Sequence, residues 1–106
     1  MFEKNFRSKK ILNFARDCPF CMACGKPSDD TIVAAHSTQI FDGKGTGLKA
    51  HDYRIAYLCS VCHFKVDQGD LSREEKKEIW ETGHRGSIGW LFASGRLKVV
   101  EPSKYD

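Results

Sequence analysis

The chain has no uninterrupted apolar stretch approaching the roughly 20 residues of a membrane-spanning helix, and its first residues are charged where a signal peptide would carry an apolar centre. A reducing, cytoplasmic setting with no membrane partner is therefore expected. Internal repeats and low-complexity tracts are also missing, and no linker rich in Pro, Gly or Ser divides the sequence. A chain of 106 residues can enclose one modest core, so a single domain is expected. Strong charge of one sign is lacking too: 17 basic residues against 14 acidic ones leave a net charge of +3, which does not by itself mark a nucleic-acid binder. Residues 37–52, STQIFDGKGTGLKAHD, are rich in glycine and lysine, yet no G-x-x-x-x-G-K-[ST] occurs, which excludes a P-loop nucleotide site.

What the chain does have is cysteine in a particular arrangement. Cys21-x-x-Cys24 and Cys59-x-x-Cys62 are two matched pairs about thirty-five residues apart, and His63 follows the last thiol. Such pairs can close a tetrahedron of thiolates around one zinc ion, two from a tight knuckle and two from the start of a later element. Cys18 is surplus; it is an alternative to Cys21, which has the better knuckle spacing. An odd cysteine count and no export signal make a disulfide framework the weaker account. A thioredoxin-like redox site is weaker still, because it uses a single Cys-x-x-Cys. Structural zinc supplies roughly 10–16 kcal/mol in small zinc peptides, comparable with the about 5–15 kcal/mol net stability of an ordinary domain.

Around the cysteines the pattern predicts a helix over residues 7–16, a knuckle over 21–26, strands over 31–35 and 53–58, and a short helix from Ser60 to about Gly69. Gly25 suits the tight backbone of the knuckle. Ser72 to Glu75 form a capping box opening a helix to about Glu81, with Ile79 and Trp80 facing inward and Gly83 and Gly86 as its breakers. A last helix over residues 87–94 and an edge strand over 97–100 complete the reading.

The order of knuckle, hairpin and a second thiolate pair on a helix start is that of a treble-clef zinc finger. The strings CMACG, AAHS and LCSVCHFKVDQ, with Lys-Ala-x-Asp at residues 49–52, resemble the HNH, or ββα-metal, endonucleases, in particular small phage and prophage proteins. The resemblance covers residues 7–85. It implies an α+β fold: a small zinc-stabilised treble-clef domain with flanking helices, its core over residues 17–70 and a helical C-terminal extension over 71–106.

The resemblance further implies a metal-dependent DNA endonuclease acting in recombination or DNA processing. Hydrolysis of a phosphodiester needs an activated water, charge stabilisation at the non-bridging oxygens and help for the leaving oxygen. His36 at the strand end is the expected base, imidazole being the side chain that exchanges a proton near neutrality. His63 and Asp67, one turn apart on one helix face, would hold a single Mg²⁺ or Mn²⁺ ion apart from the structural zinc. Two departures from the commoner pattern stand out: Ala35 precedes His36 where many members carry an aspartate, and Arg54 stands near the expected asparagine. Asp52, ahead of His51, is the expected replacement.

Lys44, Lys49 and Arg54 are expected to face phosphates, and the cluster Lys4, Arg7, Lys9, Lys10 and Arg16 is either a phosphate-facing arm or a solvated helix face. His84 is read as structural. Expected partners are DNA and a recombinase or another phage replication or recombination protein, for a monomer or a homodimer. The competing reading is a non-catalytic treble-clef module binding DNA or a protein, in which His36, His63 and Asp67 are incidental.

Overall fold

The structure is a computed structural model and describes residues 4–102. Ser8 opens helix α1 (Lys9–Asn13) by accepting a hydrogen bond from the Ile11 N–H, and the chain then tightens into a 3-10 turn, Phe14–Asp17. Strand β1 (Val33–His36) pairs antiparallel with β2 (Ile55–Leu58), Val33 opposite Leu58 and His36 opposite Ile55. Helix α2 (Ser60–Asp67) follows β2 directly, and α3 (Arg73–Ala93) closes the order. Among the described residues the result is a small α+β fold with a two-stranded sheet and three α-helices.

The strands are shorter than the sequence predicts, for local reasons. Thr31 is held in a turn by Asp29, which accepts from its N–H at 3.1 Å and from its hydroxyl at 2.5 Å. At the other end the Arg54 N–H bonds the His51 carbonyl at 2.8 Å, so residues 53 and 54 belong to a turn.

The larger correction concerns α3. Gly83 and Gly86 do not break it; the helix runs unbroken through 21 residues and absorbs the separate segment expected over residues 87–94. Ser72 and Glu75 do form the expected capping box, each side chain bonding the other's N–H at 3.1 Å. A Cβ on Gly83 would lie 2.7 Å from Leu58 Cδ2 and 3.1 Å from Ala56 Cβ, and one on Gly86 would lie 3.3 Å from Met22 Cβ. Glycine therefore marks where α3 crosses β2 and the knuckle at close range. Each glycine lowers helix propensity by about 1 kcal/mol relative to alanine, and the packing it permits offsets that loss.

All four β2 residues are buried, which makes this strand the centre of the molecule. Its edge away from β1 is closed by side chains and loops: the Tyr57 N–H donates to Ser87 Oγ at 2.8 Å, and the Tyr57 carbonyl accepts from the Met22 N–H at 3.0 Å. The Tyr57 hydroxyl bonds the Ile11 carbonyl, and burial pushes this phenol up from its ordinary pKa. Trp80 Nε1 donates to the Ala35 carbonyl at 2.8 Å, tying α3 to β1 as well. The segment that the sequence sets apart as an extension thus supplies Trp80, Ser87 and Leu91 to the core.

No edge strand forms over residues 97–100. Gly95, at φ +78°, turns the chain out of α3, the Leu97 N–H bonds the Leu91 carbonyl at 3.0 Å, and Val99 and Val100 remain exposed.

Glycine packing sets opposite signs for two alanine substitutions. Gly83→Ala should destabilise the zinc-loaded protein by about 1–3 kcal/mol through overpacking, despite its better helix propensity. Nothing lies within 4 Å of a Cβ built on Gly89, so Gly89→Ala should stabilise by up to about 1 kcal/mol. Thermal unfolding followed by circular dichroism measures both, and equal shifts would show that α3 does not pack as described.

Candidate zinc centre and histidine–aspartate pair

The knuckle is built by backbone geometry. The Cys21 N–H bonds the Lys26 carbonyl and the Gly25 N–H bonds the Cys21 carbonyl, both at 2.8 Å, with Gly25 at φ +78°. That left-handed residue is why glycine follows the second thiol. Cys59 is the N-cap of α2 and Cys62 lies in its first turn. Leaving β2, the chain therefore delivers two thiols at a helix N-terminus, where the partial positive charge favours thiolate.

The four sulfurs all lie within 4.8 Å of one another, and Cys24 and Cys59 are 3.8 Å apart. A zinc–sulfur distance near 2.3 Å in a tetrahedron puts sulfurs roughly 3.8 Å apart, so the cluster fits a structural zinc ion bound by thiolates. Among the described residues this is the one group of three or more His, Cys, Asp or Glu donors brought within ligand range of each other. Cys18 is not part of it. That thiol is buried, its sulfur lies 3.3 Å from the Phe20 carbonyl, and burial pushes its pKa up. Without metal, burial and the neighbouring thiols raise Cys62, and Cys24 is also raised; Cys21 is buried as well, but interactions with the backbone of Cys24, Cys59 and Ala23 lower it to about 7.

A second polar cluster lies at the end of β1. His36 Nε2 is 2.8 Å from Asp52 Oδ1. A carboxylate only accepts, so Nε2 carries a proton, and the tautomer this selects has Nδ1 as its acceptor. Asp52 is itself buried and fully engaged: Arg7 reaches Oδ1 at 3.1 Å and the Ser8 N–H reaches Oδ2 at 2.7 Å. Burial alone would raise this carboxyl, but the His36 hydrogen bond, the Ser8 N–H and the Arg7 charge together hold it below the ordinary carboxylate range. The stabilisation it provides is therefore present above about pH 4 and fades as pH falls through the lowered folded-state value.

Asp52, expected from the sequence to replace one of the two missing groups, thus partners the His36 imidazole. Its position depends on a strap that the sequence did not reveal. Asn5 Nδ2 donates to the Gly43 and Lys49 carbonyls at 2.7 and 2.8 Å, and Arg7 donates to the Ala50 and Lys49 carbonyls at 2.6 and 2.9 Å. The Asp52 N–H returns a bond to the Phe6 carbonyl at 2.9 Å. Arg7, read from sequence as part of a phosphate-facing arm or of a solvated helix face, anchors the loop to the N-terminal segment. Only its neighbourhood of charges was legible; pairing across 45 positions leaves no local signal.

The other expected residues fall as follows. His63 and Asp67 are one turn apart on α2, the first half-buried and the second exposed. Lys44 Nζ bonds the Gly45 carbonyl at 2.8 Å. Arg54 pairs with buried Asp42 at 3.3 Å and lies over the Tyr53 ring. The Lys49 side chain is exposed. His84 is structural: Nδ1 donates to the Ile55 carbonyl at 2.7 Å and the ring stacks on Trp80 at 4.8 Å. No helix among the described residues is long and apolar enough to cross a membrane. Comparison with protein-family models, curated proteins and solved structures finds no match to this chain.

Zinc binding should expel protons, because Cys24 and Cys62 hold theirs above the ordinary thiol range. At pH 7 at least two protons should leave per zinc bound, and affinity should fall with acidification; calorimetry in buffers of different ionisation enthalpy counts them. Metal analysis should find one zinc per chain, retained in Cys18→Ser and lost in Cys21→Ser. Retention in Cys21→Ser would remove that residue from the ligand set.

Proposed function

We propose that this protein is a metal-dependent DNA endonuclease of the HNH type, in which His36 activates the attacking water. The observation that carries this reading is the His36–Asp52 hydrogen bond at the end of β1. An imidazole whose Nε2 is committed to a buried carboxylate has one defined tautomer and one defined task, acceptance of a proton at Nδ1. The water so deprotonated attacks phosphorus as hydroxide, the bond to the 3′ oxygen breaks, and that oxygen leaves with a proton from solvent. Asp52 stabilises the imidazolium formed, as a carboxylate beside a histidine base does in other hydrolases.

Half-buried His63 and exposed Asp67 on α2 are a donor pair suited to Mg²⁺ or Mn²⁺, which keep several open positions. A cation held there would supply Lewis-acid stabilisation of the phosphate charge. Lys49 in the loop is exposed and available to phosphate oxygens. A role in recombination or DNA processing, alongside a recombinase or related phage protein, belongs to this same reading.

A second reading, a treble-clef module that binds DNA or a protein without cutting it, is favoured by one observation. Among the described residues, His63 and Asp67 acquire no third His, Cys, Asp or Glu donor, and Ala35 stands where an aspartate would complete such a set.

Incubation of the zinc-loaded protein with single-stranded and plasmid DNA, with and without Mg²⁺ or Mn²⁺, separates the two. Metal-dependent cleavage is expected, reduced about 10²- to 10⁴-fold in His36→Ala, the usual range for loss of a general base. Asp52→Asn should reduce it while leaving zinc content unchanged. Cleavage undiminished in His36→Ala would remove this residue from the chemistry, and DNA binding without cleavage by the wild type would leave the binding-module reading.

A further inference from the structure

Ile40 and Phe41 are adjacent, large, apolar, and 84% and 79% exposed. Exposure of this kind is normally a sign of mobility or of a missing partner, yet the 3-10 turn that carries them (Ile40–Asp42) is fixed from both sides. Asp42 is buried, accepts from the Ser37 hydroxyl at 2.6 Å and pairs with Arg54, while its carbonyl accepts from the His51 N–H at 3.0 Å. Ser37 Oγ also accepts from the Gln39 N–H at 3.0 Å, and Gly43 closes the turn at φ +93°. The tip is thus held out rigidly, four and five residues after His36.

Beside it opens a cavity of about 750 Å³ between the turn, the end of α2 and the start of α3. Val66, Leu71 and Trp80 give it an apolar lining. Its charges are all of one sign, Arg73, Lys76 and Lys77, and no acid lines it. Of the acids of the same helix segment, Glu75 and Glu78 line a second depression with Cys24 and Cys62, and Glu81 pairs with Lys77 at 3.7 Å. The start of α3 thus brings three cations to the cavity beside the exposed aromatic tip.

We propose that this face binds single-stranded DNA, a base stacking on Phe41 with Ile40 beside it and Arg73, Lys76 and Lys77 receiving the phosphates. The proposal rests on the DNA reading above and names the form of substrate it would take. Alternation of an exposed ring with cations is what single strands require, because every base has a face to stack and every nucleotide a charge to neutralise. Duplex DNA shields its base faces and would use the cations alone. An acidic peptide would satisfy the same charges, but the continuity of the tip with the strand bearing His36 favours the nucleic acid. A rigid tip also reduces the entropy lost on binding.

The test uses the zinc-loaded full chain without added divalent cation, and fluorescence anisotropy of labelled oligothymidylate and of a duplex of equal length. Phe41→Ala should weaken single-strand binding about 5- to 150-fold, the range for loss of one stacked base, with the salt dependence unchanged and the duplex little affected. The double substitution Lys76→Glu with Lys77→Glu should weaken binding to both and flatten the dependence of log K on log salt. Lys98→Glu, on the exposed segment after α3, serves as the charge control, and zinc content and circular dichroism confirm folding. Single-strand binding unchanged in Phe41→Ala overturns the proposal while leaving the DNA reading intact. A wild type that binds neither oligonucleotide overturns both. If an acidic, phenylalanine-containing peptide binds instead and is released by the lysine substitutions, the face belongs to a protein partner and the proposal fails.

Discussion

The convergence of two cysteine pairs is the constraint on which the rest of this small fold depends. An isolated two-stranded hairpin is marginal in water, and here each strand has four residues. The thiol cluster joins the knuckle before β1 to the helix after β2, so the hairpin lies inside a loop that a metal would close. Such closure restricts the unfolded chain across nearly forty residues and adds ligand bonding in the folded state. The strands can then be short without being loose, and Cys59, last before α2, sets where strand ends and helix begins.

With the hairpin's ends held by sulfur, β2 becomes available as a packing centre. One edge pairs with β1 and the other is satisfied by Ser87 and Met22, so no exposed edge remains on this strand for another chain to extend. Ser87 also donates to the Gly83 carbonyl at 2.7 Å. The same stretch of α3 thus supplies both the glycine that permits approach and the hydroxyl that uses it. A helix held this close can carry Trp80 and His84 back to the carbonyls of Ala35 and Ile55. His36 consequently sits on a strand clamped along its neighbours, not on a free end.

What was legible in the sequence follows from the range of each interaction. The knuckle, the strand bearing His36, α2 and the capping box of α3 are local patterns: short spacings, β-branched residues, a Ser-x-x-Glu. The four-cysteine cluster is long-range, but its paired spacing is so restrictive that it could be read. Gly83 and Gly86 were misread because glycine carries the same local signal whether it ends a helix or lets one pack closely; only the identity of the facing residues, Leu58, Ala56 and Met22, separates the two. The edge strand over residues 97–100 failed for a related reason, since alternating apolar residues specify a strand only where a partner edge is open. The Asn5–Ser8 strap had no sequence signature at all, because its bonds go chiefly to backbone carbonyls, which every residue has.

The two clusters differ in a way that bears on the chemistry. The thiol site is closed: four soft donors satisfy a tetrahedral ion and leave no position for substrate, which suits a structural metal. At the histidine site, by contrast, buried Asp52 and its own partners Arg7 and Ser8 all gather on the Nε2 side of His36. Their bonds remove the freedom of the imidazole without occupying Nδ1, so the order imposed on the ring is directional. A histidine retained only to fill space would be equally well served by a bond at either nitrogen and would need no ionised, strapped carboxylate. The investment of a buried charge, compensated by a cation and a backbone N–H from a remote segment, is costly for stability alone. What this arrangement does maintain is the orientation of the ring, and that asymmetry is the physical ground on which the proposal rests a proton acceptor at His36.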